Sequence, residues 1–480
     1  MYMYDVIIIG CGITGASCAY YLSRYKLKIA VLEQHNDVCC EATRANSAII
    51  HAGYDPEPDM VCARLNVRGN ELAKEICEKL DVAYKQIGSL VVAFSESEME
   101  TVQKLYERGV KNGVPDMRVI GQKELREMEP YISDEALGAL YAPSAAIVNP
   151  WEYGLAMAET AVRNGVEMHL NTKVTGIENG ADFSIVKTNN GDFEAKFIIN
   201  AAGVWADDIH AFVAEPDFKI LPSAGEYYLL DKSEGVRANH VIFQCPNELG
   251  KGILVSPTVH GNLIVGPNAI DSAKDDTSTK TASLDFVREK ALKSIPSINF
   301  RENIRNFTGV RPNTDTGDFE IKFVTDNFLD LAGIKSPGLS AAPAIAENTV
   351  DMLREKGLEI EEKESFIDRR EKVRFKELSN EEKNKFISEK PAYGRVVCRC
   401  ETITEGEILN ALKSPIPPVS LDGIKRRAGT GMGRCQGGFC GPKVLEIMAK
   451  SKGVAFEDIL QDDTGSYILT GETKNGGAAK

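Results

Sequence analysis

Residues 4–33 read YDVIIIGCGITGASCAYYLSRYKLKIAVLE, and this stretch limits the fold more than any other. The apolar run at 4–9 suits a parallel strand buried on both faces. Gly10-x-Gly12-x-x-Gly15 follows at once, then a helical stretch over 16–25 and a second apolar run at 28–33 that ends in an acid. Strand, glycine turn, helix, strand and acid in register form a dinucleotide-binding βαβ unit. Gly10 permits the tight turn, Gly12 lets the backbone approach a pyrophosphate, and Gly15 lets the helix pack closely on the strand. The helix N-terminus offers free N–H groups and a partial positive charge to that pyrophosphate, and Ile13 and Thr14 are counted among the cofactor contacts. Glu33 is placed to accept from both ribose hydroxyls of an adenosine and to repel a 2′-phosphate, with Gln34 beside it.

The nucleotide is expected to be FAD. The glycine turn lies at the extreme N-terminus, and IINAAGVWAD (198–207) ends another strand with small residues that can lie against a cofactor, among them Ala202, Gly203 and Trp205. No second GxGxxG is present for a nicotinamide nucleotide.

Composition excludes other classes. With 480 residues the chain has material for several domains, and a formal net charge of −14 argues against nucleic acid as a partner. The apolar run at 6–22 is broken by glycines and lacks a basic leader, so it reads as strand and helix and not as a signal or transmembrane segment. A cytoplasmic, reducing compartment is expected. Eleven cysteines, an odd count without a secretory signal, argue against a disulfide framework.

Further helices are expected at 59–80, 96–113, 151–165 and 342–356. Strands are expected at 88–94, 197–201, 226–231, 252–256, 263–267 and 329–334. The weakening alternation in the middle suggests a more antiparallel sheet inserted into the nucleotide-binding one. The segment 355–390 is dense in Glu, Lys and Arg and reads as a solvated helical linker or collar. A Cys/Gly/Pro-rich module follows at 391–450, and the last ten residues read as a loose tail.

In that module, Cys398-x-Cys400 and Cys435-x₄-Cys440 are separated by thirty-four residues. Four thiolates can hold Zn²⁺ or an iron–sulfur cluster. One-residue spacing is unusual for zinc, and the surrounding glycines leave room for inorganic sulfides and expose N–H groups to them. Arg426, Arg427 and Arg434 are expected to offset cluster charge.

The stretches IIIGCGITGASCAYYL, TRANSAIIHAGYD, INAAGVWAD, FTGVRP and AGIKSPGLSAAPA resemble the FAD-dependent D-amino-acid-oxidase-like superfamily, which includes glycine oxidase and flavin-linked glycerol-3-phosphate dehydrogenase. TRANSAIIHAGYDPEP with YKQIGSLVVAF is especially similar to L-2-hydroxyglutarate dehydrogenases. VVCRCETITEGEI and KRRAGTGMGRCQGGFC resemble the bacterioferritin-associated-ferredoxin-like [2Fe–2S] domain, as found at the C-terminus of the anaerobic glycerol-3-phosphate dehydrogenase large subunit and in opine oxidases.

The resemblance implies an α/β fold. It comprises a Rossmann-like FAD-binding domain at 1–355 with an inserted, mainly antiparallel α+β substrate domain (roughly 80–150 and 210–310). A charged linker at 356–390, a [2Fe–2S] module at 391–450 and an extension at 451–480 follow. It places His51 near the flavin as a candidate base, Arg311 as an anion clamp, and Lys335 near flavin and substrate. Arg44, Asn46, Ser47, Val174, Gly309, Arg311 and Ser340 join the cofactor contacts. N–H groups after Gly338 and Leu339 are set to stabilise a reduced, anionic flavin.

FAD takes two electrons and a [2Fe–2S] centre passes one at a time. The pair implies a dehydrogenase for a small anionic secondary alcohol, with glycerol 3-phosphate first, L-2-hydroxyglutarate second and an opine or amine third. A non-catalytic electron-transfer subunit is the alternative from another class. Electrons leaving the cluster imply a partner redox subunit or acceptor protein, and any membrane association would run through that partner.

Overall fold

The computed structural model describes residues 3–180, 182–246 and 252–471. Strand β1 (Met3–Ile9) and strand β2 (Ile29–Leu32) flank helix α1 (Ile13–Leu22), and β1 pairs in parallel with both β2 and the strand Gly191–Asn200. These lie in an eight-stranded sheet that Glu167–His169 and Phe328–Ala332 extend in parallel. Ile7, Ile8 and Val31 are fully buried, because helices cover one face of the sheet and other elements the opposite one. Every residue of α1 is buried. The helices Pro150–Arg163 and Gly338–Glu355 pack on it, and its Ala16 and Ala19 let them approach closely.

A nine-stranded sheet forms the second layer system. All its pairings are antiparallel except that of Val241–Gln244 with Ser89–Ala93. Its longest ladder joins Ile220–Leu230 to Asn303–Thr314. The fold class read from the sequence is therefore the one observed.

Several elements differ from expectation. Helix α1 begins at Ile13, three residues early, since Gly12 is its N-cap. The helix expected at 342–356 begins at Gly338 and carries Pro343 inside it, so KSPGLSAAPA is mostly helix, not lead-in. The strand Asn303–Thr314 was legible only as a motif; its Asn, Gly and Pro residues disfavour strand, and the long ladder overrides them.

The charged stretch after 355 is an exposed collar laid on the protein surface and not a helical linker. It holds one helix of ordinary length, Asn380–Glu389, and its preceding part is pinned to the protein surface. Lys363 Nζ donates to the Ser23 and Asn164 carbonyls at 3.0 and 2.5 Å. Arg370 Nε reaches Glu159 at 3.0 Å, Lys372 Nζ reaches Glu152 at 2.6 Å, and Arg374 pairs with Asp81. Arg370 and Lys372 thus reach two buried carboxylates, while most other charged side chains of the segment face solvent. Burial pushes the Glu152 carboxyl up, but Lys372, Arg370 and Arg374 outweigh it and hold it at about 2.

The C-terminal module has its own core around Ile408, Ile424, Val444 and Met448, under the helices Glu405–Ala411, Leu421–Ala428 and Gly441–Lys452. The expected loose tail falls almost wholly at 472–480, outside the described residues. Among the described residues no helix is long and apolar enough to cross a membrane.

Candidate functional site

The glycine turn is built as its spacing demands. Gly10 has φ +92°, and a Cβ there would stand 2.7 Å from the Ala201 carbonyl oxygen. A Cβ on Gly15 would stand 2.0 Å from the Gly10 oxygen, so any side chain would push helix from strand. Thr14 is buried in the first turn, and the Ile13 amide donates to Thr43 Oγ1 at 2.9 Å. Glu33, 6% exposed, accepts from the Cys11 and His35 amides at 2.8 and 3.0 Å. Each carboxylate oxygen keeps a second lone pair for a ribose hydroxyl. The turn, the helix end and the oriented carboxylate together fit the ADP part of FAD.

The residues after Glu33 form a polar rim. Glu41 Oε1 accepts from His35 Nε2 (3.0 Å), Gln34 Nε2 (3.1 Å) and Trp205 Nε1 (3.2 Å). Burial alone would lower the His35 pKa, but Glu41, Glu33 and Asp463 raise it to about 9. Arg44 Nη1 donates to Asp462 at 2.6 Å. Asn46 is committed to its own turn, donating to the Ala42 and Thr43 carbonyls and accepting from the Ala48 amide. Ser47 Oγ meets Tyr227 Oη at 3.2 Å. Gly203 takes φ +59° beside Ala202, where the strand Gly191–Asn200 ends, and Val174 is buried in the strand Val174–Asn179, two positions away in the same sheet. Thr43, Glu41 and Asp37 are contributors that sequence reasoning missed; TRANS was quoted for resemblance, with no reason to weigh its threonine.

A cleft of about 2060 Å³ runs past Gln34, Arg44, Asn46, Trp205 and Gly309 and continues to Glu401, Lys425 and Met432 of the C-terminal module. Pockets for a single small ligand span roughly 300–1,000 Å³, so this one has room for a dinucleotide. It joins the nucleotide end to the module in one space. His51, Arg311 and Lys335 are not among its lining residues; His51 and the loop that carries Lys335 form a separate neighbourhood.

In that neighbourhood His51 follows the short strand Ile49–Ile50. Its amide donates to Ser340 Oγ at 2.7 Å, its ring stacks on Phe243 at 5.7 Å, and its Nε2 lies 3.4 Å from Ser336 Oγ. His51 thus meets the loop that carries Lys335 directly. Gly338 and Leu339 start the helix beyond that loop. Arg311 lies on Asn303–Thr314, which reaches the loop at 333–335 through Thr314; a Gly333 Cβ would stand 2.7 Å from Thr314 Cγ2. Arg311 Nη2 donates to the Asn268 carbonyl at 3.0 Å, whereas its Nη1 is buried with no hydrogen-bond partner among the described residues. A buried donor without an acceptor costs roughly 1–3 kcal/mol, and an anionic ligand would relieve it. Gly225 makes the room: a Cβ there would stand 2.3 Å from Arg311 Nη2. Two residues before Arg311, a Gly309 Cβ would stand 1.8 Å from the Ala45 oxygen, so the strand lies directly on the 42–48 loop.

The four module cysteines converge. Cys398 and Cys400 sulfurs are 4.0 Å apart, Cys400 and Cys435 sulfurs 3.6 Å apart, and Cys440 hydrogen-bonds with Cys398. Backbone amides of Phe439 and Gly437 face the Cys435 sulfur, and that of Gly431 faces Cys398 and Cys440. Left-handed Gly431 (φ +76°) and Gly437 (φ +90°) turn those amides inward. Four thiols ringed by N–H donors suit a [2Fe–2S] cluster. None of the eleven cysteines is in a disulfide.

The arginines expected to offset cluster charge do other work. Arg426 and Arg427 are buried against Asp37 and reach Asp462 and Glu159, because a buried carboxylate attracts them more than a solvent-facing cluster edge. Arg434 pairs with Glu302 at 2.6 Å.

Fold and site together define a flavin-dependent oxidoreductase that carries its own iron–sulfur module. Residues 5–352 match the family described as FAD dependent oxidoreductase, and residues 396–450 match the BFD-like [2Fe-2S] binding domain. The chain belongs to the FAD-dependent oxidoreductase family typified by D-amino-acid oxidase. It is 46% identical to a glycerol 3-phosphate dehydrogenase of Caloramator mitchellensis, across 98% of this chain and 99% of that one. An L-2-hydroxyglutarate dehydrogenase of Escherichia coli is 33% identical across 70% of this chain and 79% of its own length. The L-alpha-glycerophosphate oxidase of Mycoplasma pneumoniae, solved with FAD bound, superposes with a TM-score of 0.74 at 32% identity, covering 77% of this chain and 98% of that one.

Proposed function

We propose that this chain oxidises glycerol 3-phosphate to dihydroxyacetone phosphate and passes the electrons on singly through its C-terminal module. One observation carries the choice of substrate: the likeness to the Caloramator dehydrogenase spans 98% of this chain and so includes the module, whereas the hydroxyglutarate relative covers 70%.

Glu33, the Gly10–Gly15 turn and the 42–48 loop hold FAD, which when bound accepts the hydride from the alcohol carbon. Arg311 binds the substrate's anionic group through the Nη1 that otherwise lacks an acceptor. His51 takes the hydroxyl proton; a neutral imidazole suits that role near neutral pH. Lys335 steadies developing negative charge on the alcohol oxygen. Cys398, Cys400, Cys435 and Cys440 hold the [2Fe–2S] cluster, which carries one electron at a time. A second protein then takes those electrons, and thiols left free throughout the chain agree with a reducing cytoplasm.

Anaerobic mixing of purified protein with glycerol 3-phosphate, L-2-hydroxyglutarate and opines, followed by flavin absorbance, tests the reading. Bleaching fastest with glycerol 3-phosphate supports it. Bleaching only with unphosphorylated acids overturns the substrate, and no bleaching with any of them favours a non-catalytic electron-transfer subunit.

A further inference from the structure

The cluster end of the module presents an unusual surface. Phe439 is 86% exposed, more than any other large apolar side chain among the described residues. Its backbone amide faces the Cys435 sulfur, and the next residue is Cys440. Cys400, whose sulfur lies 3.6 Å from that of Cys435, is itself exposed. An aromatic ring this exposed, at the rim of the cysteine cluster, has no packing role inside the chain and suits an interface anchor.

The exposed charged residues that flank the cluster cysteines are mainly cationic, although Glu401 adjoins Cys400. Arg399 is exposed between two of the cysteines, Arg434 is 62% exposed just before Cys435, and Lys443 is 66% exposed in the first turn of the following helix. Glu302 pairs with Arg434 and Glu446 with Lys443, but exposed pairs of this kind exchange readily for a partner's carboxylates. Across residues 396–450 eight Lys and Arg face five Asp and Glu, in a chain of net charge −14. Arg426, Arg427 and Lys425 are turned inward, and the outer face keeps Arg399, Lys413, Arg434, Lys443 and Lys450, so the module carries a small positive excess in a strongly acidic protein. An acidic partner is repelled by the body and drawn to this end.

We propose that Phe439, together with the exposed Arg399, Arg434 and Lys443 that flank the cluster cysteines in the sequence, is the docking surface for an acidic one-electron carrier protein. This rests on the electron exit proposed above. With the cluster bound and reduced, each encounter would pass one electron to the oxidised centre of the carrier, with no bond made or broken. Two encounters discharge the pair taken from one alcohol.

The test uses the full-length holoprotein, with an acidic plant-type ferredoxin as probe and a basic cytochrome c as counter-probe. Binding of the oxidised proteins is measured by calorimetry at two ionic strengths. Electron transfer is measured by stopped flow after reduction with dithionite, so the outcome does not depend on the substrate. Expected results are tighter binding of ferredoxin than of cytochrome c, weakening with salt. Phe439→Ser should lower ferredoxin affinity about tenfold or more, and Lys443→Glu should lower it severalfold and flatten its salt dependence. Lys443→Glu should keep its iron and the rate of flavin bleaching by substrate. Should Phe439→Ser lose iron, Lys443→Glu decides alone. Unchanged affinity in the variants, or tighter binding of cytochrome c by the wild type, overturns the proposal. Failure of glycerol 3-phosphate to bleach the flavin while ferredoxin binding behaves as stated would overturn the substrate and leave this surface standing.

Discussion

Arg427 grips both carboxylate oxygens of Asp37, Nη1 to Oδ2 and Nη2 to Oδ1, each at 2.8 Å. Asp37 lies four residues past Glu33, so the module is bolted to the segment that orients the adenosine carboxylate. Arg426 shares Asp37 and extends to Asp462, which Arg44 also holds. Burial pushes the Asp37 carboxyl up, yet Arg427 and Arg426 hold it at about 2.

Breaking this pair should separate the two parts. Removing one partner of a buried ion pair costs about 3–5 kcal/mol. Arg427→Leu leaves Asp37 buried and unpaired, and should lower the unfolding midpoint and expose the 356–390 segment to protease. Asp37→Leu with Arg427→Leu should recover much of the loss. Equal protease resistance in wild type and single variant would remove the bolt from the account.

Acid should loosen the same junctions. Asp37 and Glu152 both titrate at about 2 when folded, below the unfolded carboxylate range near 4. Their stabilisation is complete above about pH 5 and is lost as pH falls from about 4 towards 2. Denaturant midpoints measured across that window should fall, and the slope should be shallower in Asp37→Asn. A flat profile would contradict the assignment.

The close approach at Gly309 should be needed for the cofactor. A methyl group there would stand 1.8 Å from the Ala45 oxygen, so Gly309→Ala must lift the strand from the 42–48 loop. The purified variant should show a lower ratio of flavin to protein absorbance, with iron content unchanged. Full flavin content would show that the loop moves freely.

Arg311 and His51 should separate kinetically. Arg311→Leu removes the anion clamp and should cut kcat/KM by roughly a hundredfold or more, in line with about 2–5 kcal/mol for a buried charged contact. His51→Gln should lower kcat by about 10²–10⁴ and remove the acid limb of the pH–rate profile. An Arg311 variant with unaltered kcat/KM would move the anion site elsewhere.

What the sequence disclosed was local. The Gly10–Gly15 turn and Glu33 are legible because their constraints act within thirty-odd residues, and the four cysteines because thiolates at such spacing do little else. The strand Asn303–Thr314 was not legible, since its ladder partner lies some eighty residues earlier and its own composition disfavours strand. Arg370 and Lys372 looked solvated because Glu159 and Glu152, which they reach, are about two hundred residues away. Arg426 and Arg427 were misjudged for the same reason: Asp37 is 389 and 390 residues distant. Long-range pairing of charge leaves no periodic mark in a sequence.

The central claim is that electrons enter at the flavin and leave through the cysteine-held iron. Freeze-quenched samples of the anaerobic holoprotein, taken after addition of glycerol 3-phosphate and read by electron paramagnetic resonance, test it most directly. The account predicts a reduced [2Fe–2S] signal that grows as the flavin bleaches and is lost in Cys435→Ser. A bleached flavin with no such signal, or zinc in place of iron at the four cysteines, would contradict it.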